Sequence, residues 1–307
     1  MLRLLTSLIF CFVVLNSVAF AQNATTASSE IQVWHRLKSN NGEFSIEMPA
    51  DYSYFYDKDG FIAGKDSSSY EMREMQIVNS YENRTLMSVE VYRTSNQKNA
   101  LEATIDYQNR EADGKKLNSP GFVGREYNIK KDDWTRTTKY LASKTHLYIV
   151  TAATRGGDNQ TFQRFLSSLK IGESAAAEVN ATLLGSLKIS QPEISFEKLD
   201  TKKPADTKTP KDSSAQPEET VKLAVVGSVL PSYVDEARRA NVSGTINLRL
   251  TFSPRGNISR IVVLRELPNG LLRQAVFSAL RFKFLPQEKN EKPVAATKVV
   301  EFRFSIF

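Results

Sequence analysis

Thr245-Ile-Asn-Leu-Arg-Leu-Thr-Phe252 alternates strictly: Ile246, Leu248, Leu250 and Phe252 share one face, and Thr245, Asn247, Arg249 and Thr251 share the other. That period of two predicts a strand with one buried face. Ser253-Pro-Arg-Gly256 follows as a turn, because proline presets φ for a corner and glycine accepts φ > 0. Asn257 to Leu264 is apolar again, which closes a hairpin. Working outward, Leu271, Leu272, Ala275, Val276, Ala279 and Leu280 recur at three- and four-residue steps, bracketed by Pro268 and Pro286, and predict an amphipathic helix. Upstream, Tyr233 to Arg239 suits a short helix. Downstream, Val299 to Phe307 returns to alternation, with Val300, Phe302, Phe304 and Ile306 expected inside. The expected unit is small and α+β: helix, two hairpin strands, helix and strand, with a three-stranded antiparallel sheet.

This order resembles the C-terminal domain of the TonB family. The resemblance is carried by Tyr233, Ala237, Arg238, Gly244, Pro254, Gly256, Leu271, Ala275, Phe282, Lys283, Phe284 and Pro286, each in the place the family pattern gives it. One departure is Val234, where the family usually has proline. The resemblance implies that the terminal strand accepts an extended segment of a partner by strand addition, the partner being the plug of an outer-membrane TonB-dependent transporter or another envelope protein. Lys298, Val299, Val300, Glu301, Phe302, Arg303, Phe304 and Ser305 are the expected contact residues. Backbone groups of an edge strand would supply attachment, and the charged side chains would choose among partners. An alternative use of the same domain is dimerisation, or docking in an envelope scaffold that transduces no force.

The N-terminus reads as an export signal. Arg3 precedes an apolar stretch from Leu4 to Val18, and Ala19-Phe20-Ala21 supplies the small-x-small site, so cleavage before Gln22 is expected. An uncleaved inner-membrane anchor is the alternative. The family's Ser-x-x-x-His anchor motif has no counterpart, since Cys11 stands four residues after Ser7. Residues 1–21 are thus a signal peptide and the mature chain is expected in the periplasm. Cys11 is the sole cysteine, which removes disulfides, thiolate metal sites and cysteine nucleophiles from the mature chain.

From residue 31 to 171 strands at Trp34–Leu37, Glu43–Met48, Leu86–Tyr92, Phe122–Ile129, Trp134–Leu141 and His146–Ala153 are expected, with a helix at 100–112 and a closing helix capped by Asn159. Phe44-Ser-Ile-Glu-Met-Pro49 and Leu147-Tyr-Ile-Val-Thr-Ala152 within that order resemble the PsbP-like fold, an α/β sandwich whose members mostly bind or assemble rather than catalyse. Residues 172–222 read as a polar Pro/Lys-rich linker, with Ala175 to Phe196 richer in apolar residues and left unassigned, and residues 223–307 as the TonB-like domain.

No catalytic constellation is present. The chain has 2 histidines, His35 and His146, too few for a three-histidine zinc site, and has no nucleophile elbow, P-loop or dinucleotide motif. No enzyme activity, cofactor or metal is expected. The formal net charge of +7 is concentrated in the C-terminal part. An export signal and the lack of a recognition helix or aromatic RNA platform argue against nucleic acid, leaving an acidic partner peptide or an anionic surface as the charge's natural counterpart.

Overall fold

Period-two alternation becomes a central antiparallel sheet, and its two faces are covered by different parts of the chain. The computed structural model describes residues 33–58, 72–94, 114–131, 133–157, 159–197 and 219–306. The expected signal peptide, the helix expected at 100–112 and residues 198–218 of the expected linker lie outside them.

The first half contains β1 (Trp34–Lys38), β2 (Phe44–Pro49), β3 (Ser53–Asp57), β4 (Met72–Glu82), β5 (Thr85–Thr94), β6 (Lys115–Ser119), β7 (Phe122–Lys130), β8 (Trp134–Ala142), β9 (His146–Arg155) and α1 (Gln160–Ser167). Seven of these strands form the sheet β3-β4-β5-β9-β8-β7-β6, antiparallel throughout. The cap read at Asn159 is present: its Oδ1 accepts from the Phe162 amide at 2.8 Å. Past α1 the chain adds β10 (Lys170–Ile171), α2 (Glu173–Ala176), β11 (Thr182–Leu183) and β12 (Glu193–Phe196). Strands β10, β2, β1 and β11 make a second sheet. With Phe162 and Phe165 of α1, it covers the sheet face carrying Val78, Met87, Val89, Val91, Tyr148 and Val150.

The second half runs β13 (Thr220–Val221), β14 (Ala224–Gly227), α3 (Asp235–Arg239), β15 (Gly244–Phe252), β16 (Ile258–Arg265), α4 (Leu271–Leu280), β17 (Lys283–Leu285), β18 (Gln287–Lys289), β19 (Lys292–Val294) and β20 (Ala296–Phe304). It covers the opposite face. Met75, Ile77, Tyr92, Tyr127, Tyr140, Leu147 and Ile149 of the central sheet share one core with Ile246, Leu248, Leu250, Phe252, Phe277, Phe282, Phe284 and Phe302. Strand β17 lies across β5 and β9. Burial on both faces explains why β9 is buried almost without interruption, the pattern of a strand that alternates nothing into water. Among the described residues the structure is mostly sheet, with few and short helices.

Three expectations are corrected. The C-terminal sheet has four strands, in the order β12-β16-β15-β20, because β12 joins it parallel to β16, placing Ile194 beside Ile261 and Phe196 beside Val263. Four residues are too few to show a period, so this strand left no signal in the sequence. The stretch 172–197, placed within the linker with 175–196 unassigned, is built into the fold: β10 just before it and β11 within it join the small sheet, and β12 joins the C-terminal sheet. The terminal strand begins three residues earlier than expected, at Ala296, and ends at Phe304, leaving Ile306 43% exposed rather than inside.

A shared core predicts that the halves unfold together. Phe284, fully buried with its ring 4.8 Å from that of Phe252, reports on this. Phe284→Ala should cost about 3–5 kcal/mol. In urea, it should shift the fluorescence transition of Trp34 and Trp134, which lie in the other half, by as much as the transition seen by circular dichroism. An unshifted tryptophan transition would show that the two halves are independent.

Candidate functional site

The feature singled out by its position is the border formed by β20. Its nine residues pair with β15 from Gly244↔Phe304 to Phe252↔Ala296. Among the described residues β15 is its only strand neighbour, whereas the opposite border of the sheet is occupied by β12. Phe302 and Phe304 point into the core, with Val300 half-buried beside them. Thr297, Val299, Glu301 and Arg303 face away and are exposed, as is Lys298. Seven of the eight residues expected to touch a partner therefore lie on this strand; Ser305 lies just past its end. Phe302 and Phe304 serve the core, so of that set only their backbone is available at the border. No ion pair among the described residues engages Lys298, Glu301 or Arg303. Arg249, across from Val299, is bound instead to Glu197 at 2.6 Å.

The motif residues act on the shape of this border rather than on its surface. Tyr233 packs its ring edge-on to Phe304 at 6.1 Å and donates its hydroxyl to the Val242 carbonyl, which holds the far end of β20. Ala237 is fully buried in the shared core, and Arg238, beside Asp235 at 3.3 Å, lies 5.8 Å from the Tyr233 ring centre. Gly244 opens β15 at φ +149, with Leu267 where a Cβ would be. Gly256 has φ +80, and a Cβ there would stand 2.7 Å from Leu86. The hairpin tip thus touches β5, and Arg255 reaches Asp51 at 3.2 Å. Pro286 offers its carbonyl to Arg155 at 2.7 Å.

Sequence reasoning missed a set of buried charges where the halves meet. Glu90 of β5 accepts from Arg281 Nε at 2.8 Å and lies 3.0 Å from Lys283 Nζ, and Tyr92 donates its hydroxyl to the same carboxylate. All four residues are at most 5% exposed. Burial alone pushes the Glu90 carboxyl up, but Arg281 and then Lys283 outweigh it and hold its pKa at about 2. Burial raises the Tyr92 phenol well above its ordinary value, so it stays a donor. A second set surrounds Glu288, which receives Tyr81 at 2.7 Å, Arg155 at 3.4 Å and Arg84 at 3.3 Å. The available signal was a lone carboxylate between Val89 and Val91, and two cations in the apolar run 279–285.

The histidines do not gather a site. His35 sits edge-on to Tyr52, and His146 contacts Asn41 and Thr145 through Nδ1, beside a cleft of about 260 Å³ lined by Glu74, Arg93 and Asn40. Burial lowers the His146 pKa, which favours the neutral ring. No group of three or more metal-binding side chains occurs among the described residues.

Residues 229–306 match the family of the Gram-negative bacterial TonB protein C-terminal domain, about the last quarter of the chain. The resemblance read from the sequence for this part is borne out. A search of curated proteins finds no match.

Glu90→Gln should destabilise the protein by about 3–5 kcal/mol, because two cations lose their buried counter-charge. The sign with pH follows from a folded pKa lowered from 4.5 to about 2. The stabilisation from Glu90 is complete above about 4.5 and is lost as pH falls toward 2. Urea midpoints of wild type and variant measured across that window should converge at its acid end; a gap that persists at pH 2 would assign the effect to packing.

Proposed function

We propose that this chain is a TonB-like protein of the cell envelope whose C-terminal part captures an extended segment of a partner by adding it as a strand beside β20. The observation that carries the reading is the one-sided pairing of β20 within the residues that match the family. An unpaired border presents alternating N–H and C=O groups, which dictates an extended, backbone-paired guest. Among the described residues Lys298, Glu301 and Arg303 have no ionic partner along it, and in this reading they set the guest's charge preference. By family likeness, that guest is the periplasmic plug segment of an outer-membrane transporter, in TonB-dependent transport.

Among the described residues no helix is long and apolar enough to cross a membrane. With residues 1–21 read as a signal peptide, cleavage would leave a periplasmic binding protein; retained, the same segment would serve as an inner-membrane anchor. The first half then serves as the platform on which the binding border is mounted, through Glu90 and Glu288. In the alternative reading, the border pairs with a second copy or a fixed scaffold partner.

Neighbouring residues of an antiparallel edge strand send their N–H groups to opposite sides. Of Lys298→Pro and Val299→Pro, one therefore removes a bond to β15 and the other a donor on the open border. The first should lower stability by about 1–3 kcal/mol. The second should leave stability within about 1 kcal/mol of wild type and weaken binding of a transporter plug peptide by about tenfold or more, measured by fluorescence anisotropy. Peptide binding unaffected by both variants would refute strand addition. Concentration-dependent self-association lost in the second variant, without peptide binding, would select the dimer.

A further inference from the structure

A cavity of about 40 Å³ lies between β8 and the start of β17, lined by Glu90, Arg136, Thr138, Thr151, Ser228, Arg281 and Lys283 among others. Three cationic side chains face it and one carboxylate does. Arg281 and Lys283 share Glu90, and among the described residues no other carboxylate acts on Arg136 or Lys283. Arg136 donates through Nη1 to the Val226 carbonyl, while its Nε has no hydrogen-bond partner among the described residues. Lys283, 5% exposed, carries three N–H donors and meets Glu90 with one side of its ammonium. Thr138 and Thr151 bring hydroxyls 3.4 Å from one another.

Charge buried in excess of its counter-charge is costly, and water solvates it without neutralising it. The volume exceeds what one water needs and suits a monatomic anion. We infer that this cavity binds a small inorganic anion, chloride in size, held between Arg136 of the first half and Lys283 of the second. The inference is independent of the binding border. It makes the junction of the two halves a halide site, so that anion binding stabilises the docked arrangement.

The test uses the full-length chain. Thermal unfolding is followed as chloride rises from about 5 mM to about 500 mM, gluconate holding the ionic strength constant. The melting temperature should rise by about 3 °C or more. Crystals containing bromide should show an anomalous peak within hydrogen-bond reach of Arg136 and Lys283. Lys283→Met should abolish the chloride dependence. Should that variant fail to fold, Gly227→Ala keeps every charge and sets a methyl 2.9 Å from Arg136 Nη1, intruding on the same space; it should also abolish the dependence. Equal melting temperatures in chloride and gluconate, no bromide peak at the cavity, or a chloride effect that survives Gly227→Ala would overturn the inference.

Discussion

A carboxylate in the middle of an apolar strand cannot be left alone, and Glu90 decides how the two halves of this molecule fit. Its neighbours Val89 and Val91 face the small sheet and α1, so Glu90 itself faces the second half. There it needs cations, and the segment that follows α4 supplies them as Arg281 and Lys283. Replacing such a set by apolar residues of equal volume is often no worse for stability. What the set supplies is register. A slide of β17 across β5 by one residue would turn Lys283 away and leave a buried charge unpaired, whereas an apolar contact would tolerate the slip. Glu288 repeats the device at the other end of the same junction, with Arg155 and Tyr81 from the first half.

Two ionic registers and a hairpin tip against Leu86 fix the C-terminal sheet on its platform. The consequence for the border follows from order along the sheet. Strands β15 and β16 are held by the core beneath them, and β20 is held by β15 and by Tyr233 at its end. The border is therefore rigid from one side only, through a ladder that a guest strand would extend rather than replace. A preorganised edge of this kind avoids much of the ordering cost that a mobile segment would incur on binding.

The parts of this architecture that were legible in the sequence are those with a long period or a cap. The alternation of 245–252, the helical spacing of Leu271 to Leu280, the strand read at 146–153 and the Asn159 cap all have local causes, and each stands in the structure where its pattern placed it, the strand running on to Arg155. Apart from β1, the strands of two to five residues were not legible, because a run that short fits any conformation until a neighbour pairs with it. Phe282-Lys283-Phe284 carried the TonB likeness, yet its lysine points into a core formed by residues nearly two hundred positions earlier, and only the fold brings Glu90 to it. Of the border itself, the strand could be read but its openness could not: whether an edge is covered depends on every other segment, including β12.

That contrast between β12 and β20 bears on what the sheet is for. Both borders of β15–β16–β20 would present unpaired backbone, and the chain closes one of them with its own residues 193–196. The closing strand is parallel, short and weakly buried, with Phe196 67% exposed, so it adds little core. Its effect is on the edge: it occupies the donors and acceptors of β16 that would otherwise recruit another chain. Among the described residues no strand does this on β20, where Val299 is 54% exposed on its outer face. Among the described residues the sheet has one border closed by the chain's own strand and one lined by exposed Lys298, Glu301 and Arg303, and the proposed strand addition concerns the second.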